Sequence, residues 1–407
     1  MKKSKFYLLP LTLLFCGCNM DSPDIVSNSP QTEESYFVSI EDAIETADKF
    51  FAQLEDTPGT RTHRVVKNIE TYKRGNILTR SSNTAPDFYV INYMDEGGFA
   101  LVSTDSRRIP VYAFSTEGHM SLSDTVTNEG LRNYLNECAI SPVSPVFPRD
   151  TTLTAIGDEL KILVPPMLDE NPRNWDQMSL NKYVCPNKID SIPVGCVALA
   201  TGQIMSYFRW PDRWPIDGYE TAKERYTFNW TEMLKTRYND PTARLMEILG
   251  RAENLNMRYR KKESSAYIDR VPLTMEKMGY KKPRQVAFNS DTVINTLYKK
   301  SPIIMSGYPQ EGGSGHAWTV DGFAQCKRPL LKIDTGEIEY VYHLYYHFIW
   351  GNWGGSNGYF YYDDSLRSFE DQARAFDEVD YGHGNINTRW RNISTLIDFQ
   401  VDTSKLH

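Results

Sequence analysis

The chain has 407 residues, 40% of them hydrophobic and 13% aromatic, with 45 basic against 52 acidic side chains and a formal net charge of −7. This composition excludes a disordered or fibrous chain, and without a basic excess nucleic acid is not an expected partner. Residues 1–165 hold 15 Lys/Arg and 22 Asp/Glu, residues 166–407 hold 30 of each, and all eight Trp lie in the second stretch, so two different modules meet near residue 165.

Lys2, Lys3 and Lys5 precede an apolar run from Phe6 to Phe15 that is too short to span a bilayer, and Cys16-Gly17-Cys18 follows. This reads as an export leader over residues 1–17. Its end resembles a bacterial lipobox, so Cys18 is the expected lipidated first residue of an exported protein, held at the cell surface or outer membrane or released after processing. Residues 19–34, polar and proline-containing, read as a tether. From Ser39 the spacing of Ala43, Ile44, Ala47, Phe50, Phe51 and Leu54 predicts an amphipathic helix with a Ser39/Asp42 cap. Residues 88–93 and 99–103, joined by Asp95-Glu96-Gly97-Gly98, predict a β-hairpin. A strand over 109–114 and a helix over 129–138 complete a small α+β module, and Pro142, Pro145 and Pro148 lead to the boundary. Beyond it the pattern predicts helices at 196–208, 241–256 and 291–300, then strands at 302–306, 316–323, 338–350 and 358–363.

The residues that could carry chemistry cluster in the second module. Cys196 follows Gly195 and opens an apolar helix, where unpaired backbone N–H groups and the positive end of the dipole favour a thiolate. A glycine-rich turn delivers His316 at the start of an apolar strand. Trp350 and Asn352 sit in a Gly-rich strand end where they could cover and orient an imidazole, and Gln177 in Trp175-Asp176-Gln177 could donate to an oxyanion. Each has a plainer alternative: a buried small thiol, an aromatic hairpin, a polar loop. His343 and His347 share a strand face and read as packing rather than a metal pair. Four scattered cysteines after export form no disulfide framework or zinc spacing, so no metal and no cofactor is expected.

Together GCVALATGQIM, GSGHAWTVDGF, HFIWGNWGGSNGYF and WDQ with Cys185-Pro186 resemble the motifs of the streptopain-like cysteine peptidases, a papain-fold group of secreted bacterial enzymes. FYVINYMDEGGFALVSTDSRRIPVYAFS is similar to that family's inhibitory propeptide. The resemblance implies an α+β papain-like catalytic domain over residues 166–407 behind an α+β propeptide over 18–165. It implies a cysteine endopeptidase made as a zymogen, with polypeptide substrates and its own propeptide as inhibitor. Cys196 would be the nucleophile and His316 its partner. Gln177 and the Cys196 N–H would form the oxyanion hole, and Trp350 would shield the pair. One departure stands out: the family has Asn before that Trp, and this chain has Ile349, which cannot accept the imidazole N–H. Backbone, water or Asn352 must then orient His316. Otherwise the chain is a catalytically impaired surface protein that binds haem, glycan or a host protein on the same fold. Residues 251–300 carry 12 basic and 5 acidic side chains, which predicts that the acidic module docks on them partly by charge.

Overall fold

A computed structural model describes residues 36–54, 64–74, 76–77, 85–126, 128–139, 153–155, 157–184, 192–216, 225–309, 314–352, 354–362 and 390–405. The leader, Cys18, the tether, the prolines at 142–148 and Cys185-Pro186 lie outside the described residues. The first helix, α1 (Ile40–Phe51), starts where expected, with the Ser39 hydroxyl accepting the Asp42 N–H at 3.1 Å and Ala43, Ala47, Phe50 and Phe51 buried. It packs on the strands that follow because one apolar face of a helix is stable only when covered.

Thirteen strands form one antiparallel sheet among the described residues. The first module supplies β1 (Val66–Lys73), β2 (Asn76–Ile77), β3 (Phe88–Tyr93), β4 (Phe99–Ser103), β5 (Val111–Ser115), β6 (Leu153–Ala155) and β7 (Glu159–Val164). The second supplies β8 (Arg284–Ala287), β9 (Ile303–Pro309), β10 (His316–Lys332), β11 (Ile338–Ile349), β12 (Gly358–Tyr361) and β13 (Trp390–Ile397). Their order is β8-β13-β9-β10-β11-β12-β5-β4-β3-β1-β2, with β6 and β7 on β10. The modules are joined edge to edge, Tyr359 opposite Phe114 and Phe360 opposite Ala113. Strands β3, β4 and β5 are buried at every position, so they read as mainly apolar runs rather than alternating ones, with Asn92, Ser103 and Ser115 as the buried polar exceptions.

Helix α2 (Glu129–Ala139) lies as the sequence predicts, buried through Leu131, Tyr134, Leu135 and Cys138. Helix α3 (Cys196–Phe208) is buried from Val197 to Ser206, the burial expected of a helix apolar all round. Around it pack α4 (Asp240–Gly250) and α5 (Arg270–Lys277), giving a helical lobe whose core includes Leu199, Leu245, Met246 and Met275. Strand alternation divides the sheet: Ile304, Ala317 and Leu396 face this lobe, whereas Ile303, Met305, Trp318 and Val320 join the core shared with the first module. A Cys-bearing central helix against a His-bearing antiparallel sheet is the papain-like α+β arrangement. His343 and His347 pack in it. The His347 Nδ1 lies 2.6 Å from Asp321 Oδ1, and burial pushes the His343 imidazole down to about 3, with the Arg328 charge acting the same way.

Several elements depart from the expected ranges: β1, β8, β13 and α5 were not expected, the helix expected over 241–256 ends at Gly250, and two further departures are linked. Strand β10 runs nine residues past Phe323, and β7 was not expected at all. They explain each other: Phe323 to Lys327 pair with β7 on one side and with β11 on the other. Arg328 is buried there, its Nε donating to Asp158 Oδ1 at 2.6 Å and its Nη2 to Oδ2. Removing one partner from such a pair typically costs about 3–5 kcal/mol, because the other charge stays buried alone.

Candidate active site

Cys196 occupies the first position of α3. Its predecessor Gly195 has φ +92°, and a Cβ there would fall 2.1 Å from Met257 Cε and 3.1 Å from the Ser264 carbonyl oxygen. Only glycine meets both conditions, so the turn that presents the thiol depends on it. The Thr201 hydroxyl bonds the Val197 carbonyl at 2.7 Å. Gln203 accepts from Thr319 Oγ1 at 2.7 Å and donates to the Pro172 carbonyl at 3.0 Å, which ties α3 both to β10 and to the segment before Gln177. The Gln177 carbonyl accepts the Val194 N–H at 2.9 Å, so Gln177 and Cys196 sit on adjoining turns.

Cys196, His316, Gln177 and Asn352 line one cavity of about 940 Å³. Trp350 stands behind it, buried, with its ring 6.3 Å from His316 and 5.5 Å from Trp318. The predicted residues are thus brought together. The imidazole is oriented by backbone: His316 Nε2 lies 3.1 Å from the Trp350 carbonyl oxygen, and since a carbonyl only accepts, Nε2 carries the proton. Ile349, fully buried and paired with Thr319, leaves this role open to the next residue's carbonyl. Asn352 lines the cavity. Asn357, which the sequence reading passed over, fixes that carbonyl: its Oδ1 accepts the Trp350 N–H at 3.1 Å and its Nδ2 donates to the Arg173 carbonyl at 2.8 Å. Its only signal was an Asn in a Gly-rich turn.

A second residue missed from sequence is Gly130, in the first turn of α2. A Cβ there would lie 2.4 Å from His316 Cδ2, 2.8 Å from its Nε2 and 2.8 Å from Trp350 Cε3. The α2 backbone therefore rests directly on the imidazole and the Trp350 ring. Tyr134, one turn on, packs on Phe360 at 5.0 Å and donates to the Tyr112 and Tyr361 carbonyls. The neighbouring Glu129 lines the cavity with Cys196.

This cover suppresses ionisation. Burial pushes the Cys196 thiol up and the Glu129 carboxylate acts the same way, while the N–H groups of Ala317, Val197 and Cys196 itself oppose them. Burial lowers His316 to about 4 against the opposing pull of the Trp350 carbonyl, so the ring is neutral at pH 7. No hydrogen bond joins the thiol to the ring among the described residues. With the first module in place, the site holds a thiol and a neutral imidazole rather than an ion pair.

Several charged contacts between the modules involve basic residues outside 251–300. Ion pairs between their described residues are Arg173–Glu117 at 2.6 Å, Lys327–Glu159 at 3.9 Å and Arg328–Asp158. None of these basic partners lies in 251–300. From that stretch Glu263 instead raises the Glu129 carboxyl, adding to burial against the lowering effect of Arg132. Sequence position did not show which basic residues face the first module: those three lie beside the linker and on the long β10.

Residues 175–360 match the family model of the Peptidase C10 family, and residues 35–140 that of the Spi protease inhibitor. Residues 175–360 thus belong with the streptopain-like cysteine peptidases of the C10 family. It is 24% identical over 358 residues to the thiol protease/hemagglutinin PrtT of Porphyromonas gingivalis, covering 78% of this chain and 38% of that protein. It is 23% identical over 339 residues to streptopain of Streptococcus pyogenes, covering 73% of this chain and 79% of that one. The chain thus spans well under half of PrtT and most of streptopain. A structure of a Prevotella intermedia prointerpain A fragment is similar at 18% identity and TM-score 0.48, covering 81% of this chain and 97% of that one. Active interpain A from the same organism gives 22% identity and TM-score 0.33, covering 48% and 85%. The two family matches bracket residues 141–174, the stretch that holds β6 and β7.

Proposed function

We propose that this chain is a latent cysteine endopeptidase, exported and anchored through Cys18, in which the first module is an inhibitory propeptide and residues 175–360 cut polypeptides. The observation that carries the reading is a cavity holding Cys196, His316 and Gln177 with the α2 backbone lying on His316. Once α2 departs, water reaches the site, the Glu129 charge is gone, and the helix N-terminus and three N–H groups favour the thiolate. The Nε2–H bond to the Trp350 carbonyl leaves Nδ1 as the ring's acceptor, so Nδ1 takes the Cys196 proton. The Cys196 sulfur then attacks the scissile carbonyl, and the oxyanion is met by the Cys196 N–H and the Gln177 side chain. His316 gives its proton to the leaving amine as the thioester forms, and then takes one from the water that hydrolyses it. Because the Trp350 carbonyl does the orienting, Ile349 does not argue for an impaired protein.

Strands β6 and β7 pair with β10 and Asp158 holds the buried Arg328, so in this reading residues 153–164 stay with the enzyme, and the propeptide that leaves ends before Leu153, upstream of the boundary near 165 expected from the sequence. Processed protein incubated with a denatured, neutral polypeptide is expected to yield fragments with new N-termini. Intact substrate beside correctly folded, processed protein would end the peptidase reading.

A further inference from the structure

Resting on the peptidase reading, we propose that Arg258 and Lys262 make the cleft select polypeptides with an acidic side chain beside the scissile bond. The wall opposite His316 is the loop from Leu255 to Ile268, and it touches the nucleophile's own turn: Met257 and Ser264 are the residues that a Cβ on Gly195 would strike. Arg258 and Lys262 line the same cavity as Cys196. The loop is held open as a two-residue ribbon, with the Arg258 N–H donating to the Ser265 carbonyl at 2.8 Å and the Ser265 N–H to the Arg258 carbonyl at 3.2 Å.

The Arg258 guanidinium lies 4.9 Å from the centre of the exposed Tyr267 ring. Resting on an aromatic face holds the group in place and leaves its N–H edge available to a planar carboxylate. Neither Arg258 nor Lys262 is in an ion pair with a described residue, and the cation that pairs with the departing part of the first module is Arg173, with Glu117.

The other charges on the cleft are accounted for. Arg270 donates to the Ala252 and Asn254 carbonyls, both at 3.0 Å. Glu263 accepts the Ser314 hydroxyl at 2.6 Å, and Asp176 caps the N–H groups of Met178 and Ser179. Glu129 leaves with the propeptide. Once Glu129 has left, the cleft lining carries Arg258, Lys262 and Arg270 against Asp176 and Glu263, a net positive balance in which Arg258 and Lys262 are the cations without a hydrogen-bonded or ion-paired partner among the described residues. An extended peptide lying between that wall and His316 presents alternate side chains to it.

The test uses processed enzyme and a set of neutral peptides carrying Glu, Gln or Lys at each position in turn. At one position Glu should exceed Lys by roughly tenfold in kcat/KM at low salt, mainly through KM, and the gap should shrink at high salt. Arg258→Glu combined with Lys262→Glu should invert that order, so that at the same position Lys then exceeds Glu. Equal rates for Glu and Lys at every position would overturn the proposal, as would a preference for Glu that survives the double charge reversal. Failure to cleave even the neutral peptides is a different result, and it removes the peptidase reading itself.

Discussion

Replacing Cys196 by alanine is expected to lower peptide hydrolysis by on the order of 10⁵-fold, the scale seen when a covalent nucleophile is removed from a working unit. The fold should survive, because the substitution removes one sulfur at the mouth of a cavity while Val197 to Ser206 continue to bury α3. The same full-length variant should no longer process itself, so its first module remains attached. Far-ultraviolet circular dichroism and the urea midpoint, unchanged from wild type, separate lost chemistry from lost structure. Residual hydrolysis within tenfold of wild type would mean that another group performs the attack.

Gly130→Val is expected to unlock the full-length protein. A Cβ at this position meets the His316 ring at 2.4 Å and the Trp350 ring at 2.8 Å, and both rings are held by β10, the Trp350 carbonyl and surrounding aromatics. The side chains cannot yield, so the start of α2 has to lift. Overpacking of this kind costs about 2 kcal/mol, which shifts the balance towards the uncovered site by about thirtyfold. Alkylation of Cys196 at pH 7 should accelerate to a similar degree without cleavage of the chain. The sign follows from the thiol: burial and Glu129 raise its pKa in the covered state, so thiolate is scarce at neutral pH and the rate climbs as pH rises. Uncovering the site brings thiolate, and reactivity, down to neutral pH. An alkylation rate equal to wild type would show that α2 does not press on the imidazole.

What the sequence disclosed follows from locality. The cap and apolar face of α1, the turn between β3 and β4, the Gly-Cys start of α3 and the His at the head of β10 are each written within a few consecutive residues. The roles that stayed hidden depend on groups distant in sequence or on the backbone. Gly130 looks like a weak point in a helix until the rings of His316 and Trp350 are seen against it. The acceptor that orients His316 is a carbonyl, which every residue has, so Ile349 looked like a lost function when the function had moved one residue to the backbone of Trp350. The far half of β10 alternates in burial from Gln325 to Leu330, but one of its buried positions holds an arginine neutralised by Asp158 and a proline follows it, so the residues there do not spell a strand. Charge balance located two modules but not their contact, since ion pairs depend on which surfaces meet rather than on which segment is basic.

The central claim, a competent Cys196–His316 site covered by the propeptide, is tested most directly by treating the protein with a thiol-directed epoxide before and after processing and mapping the adduct by mass spectrometry. The account predicts a single adduct on Cys196 in the processed form and little in the full-length form at pH 7. A processed form that leaves Cys196 unmodified, or a full-length form that reacts just as fast, would contradict it.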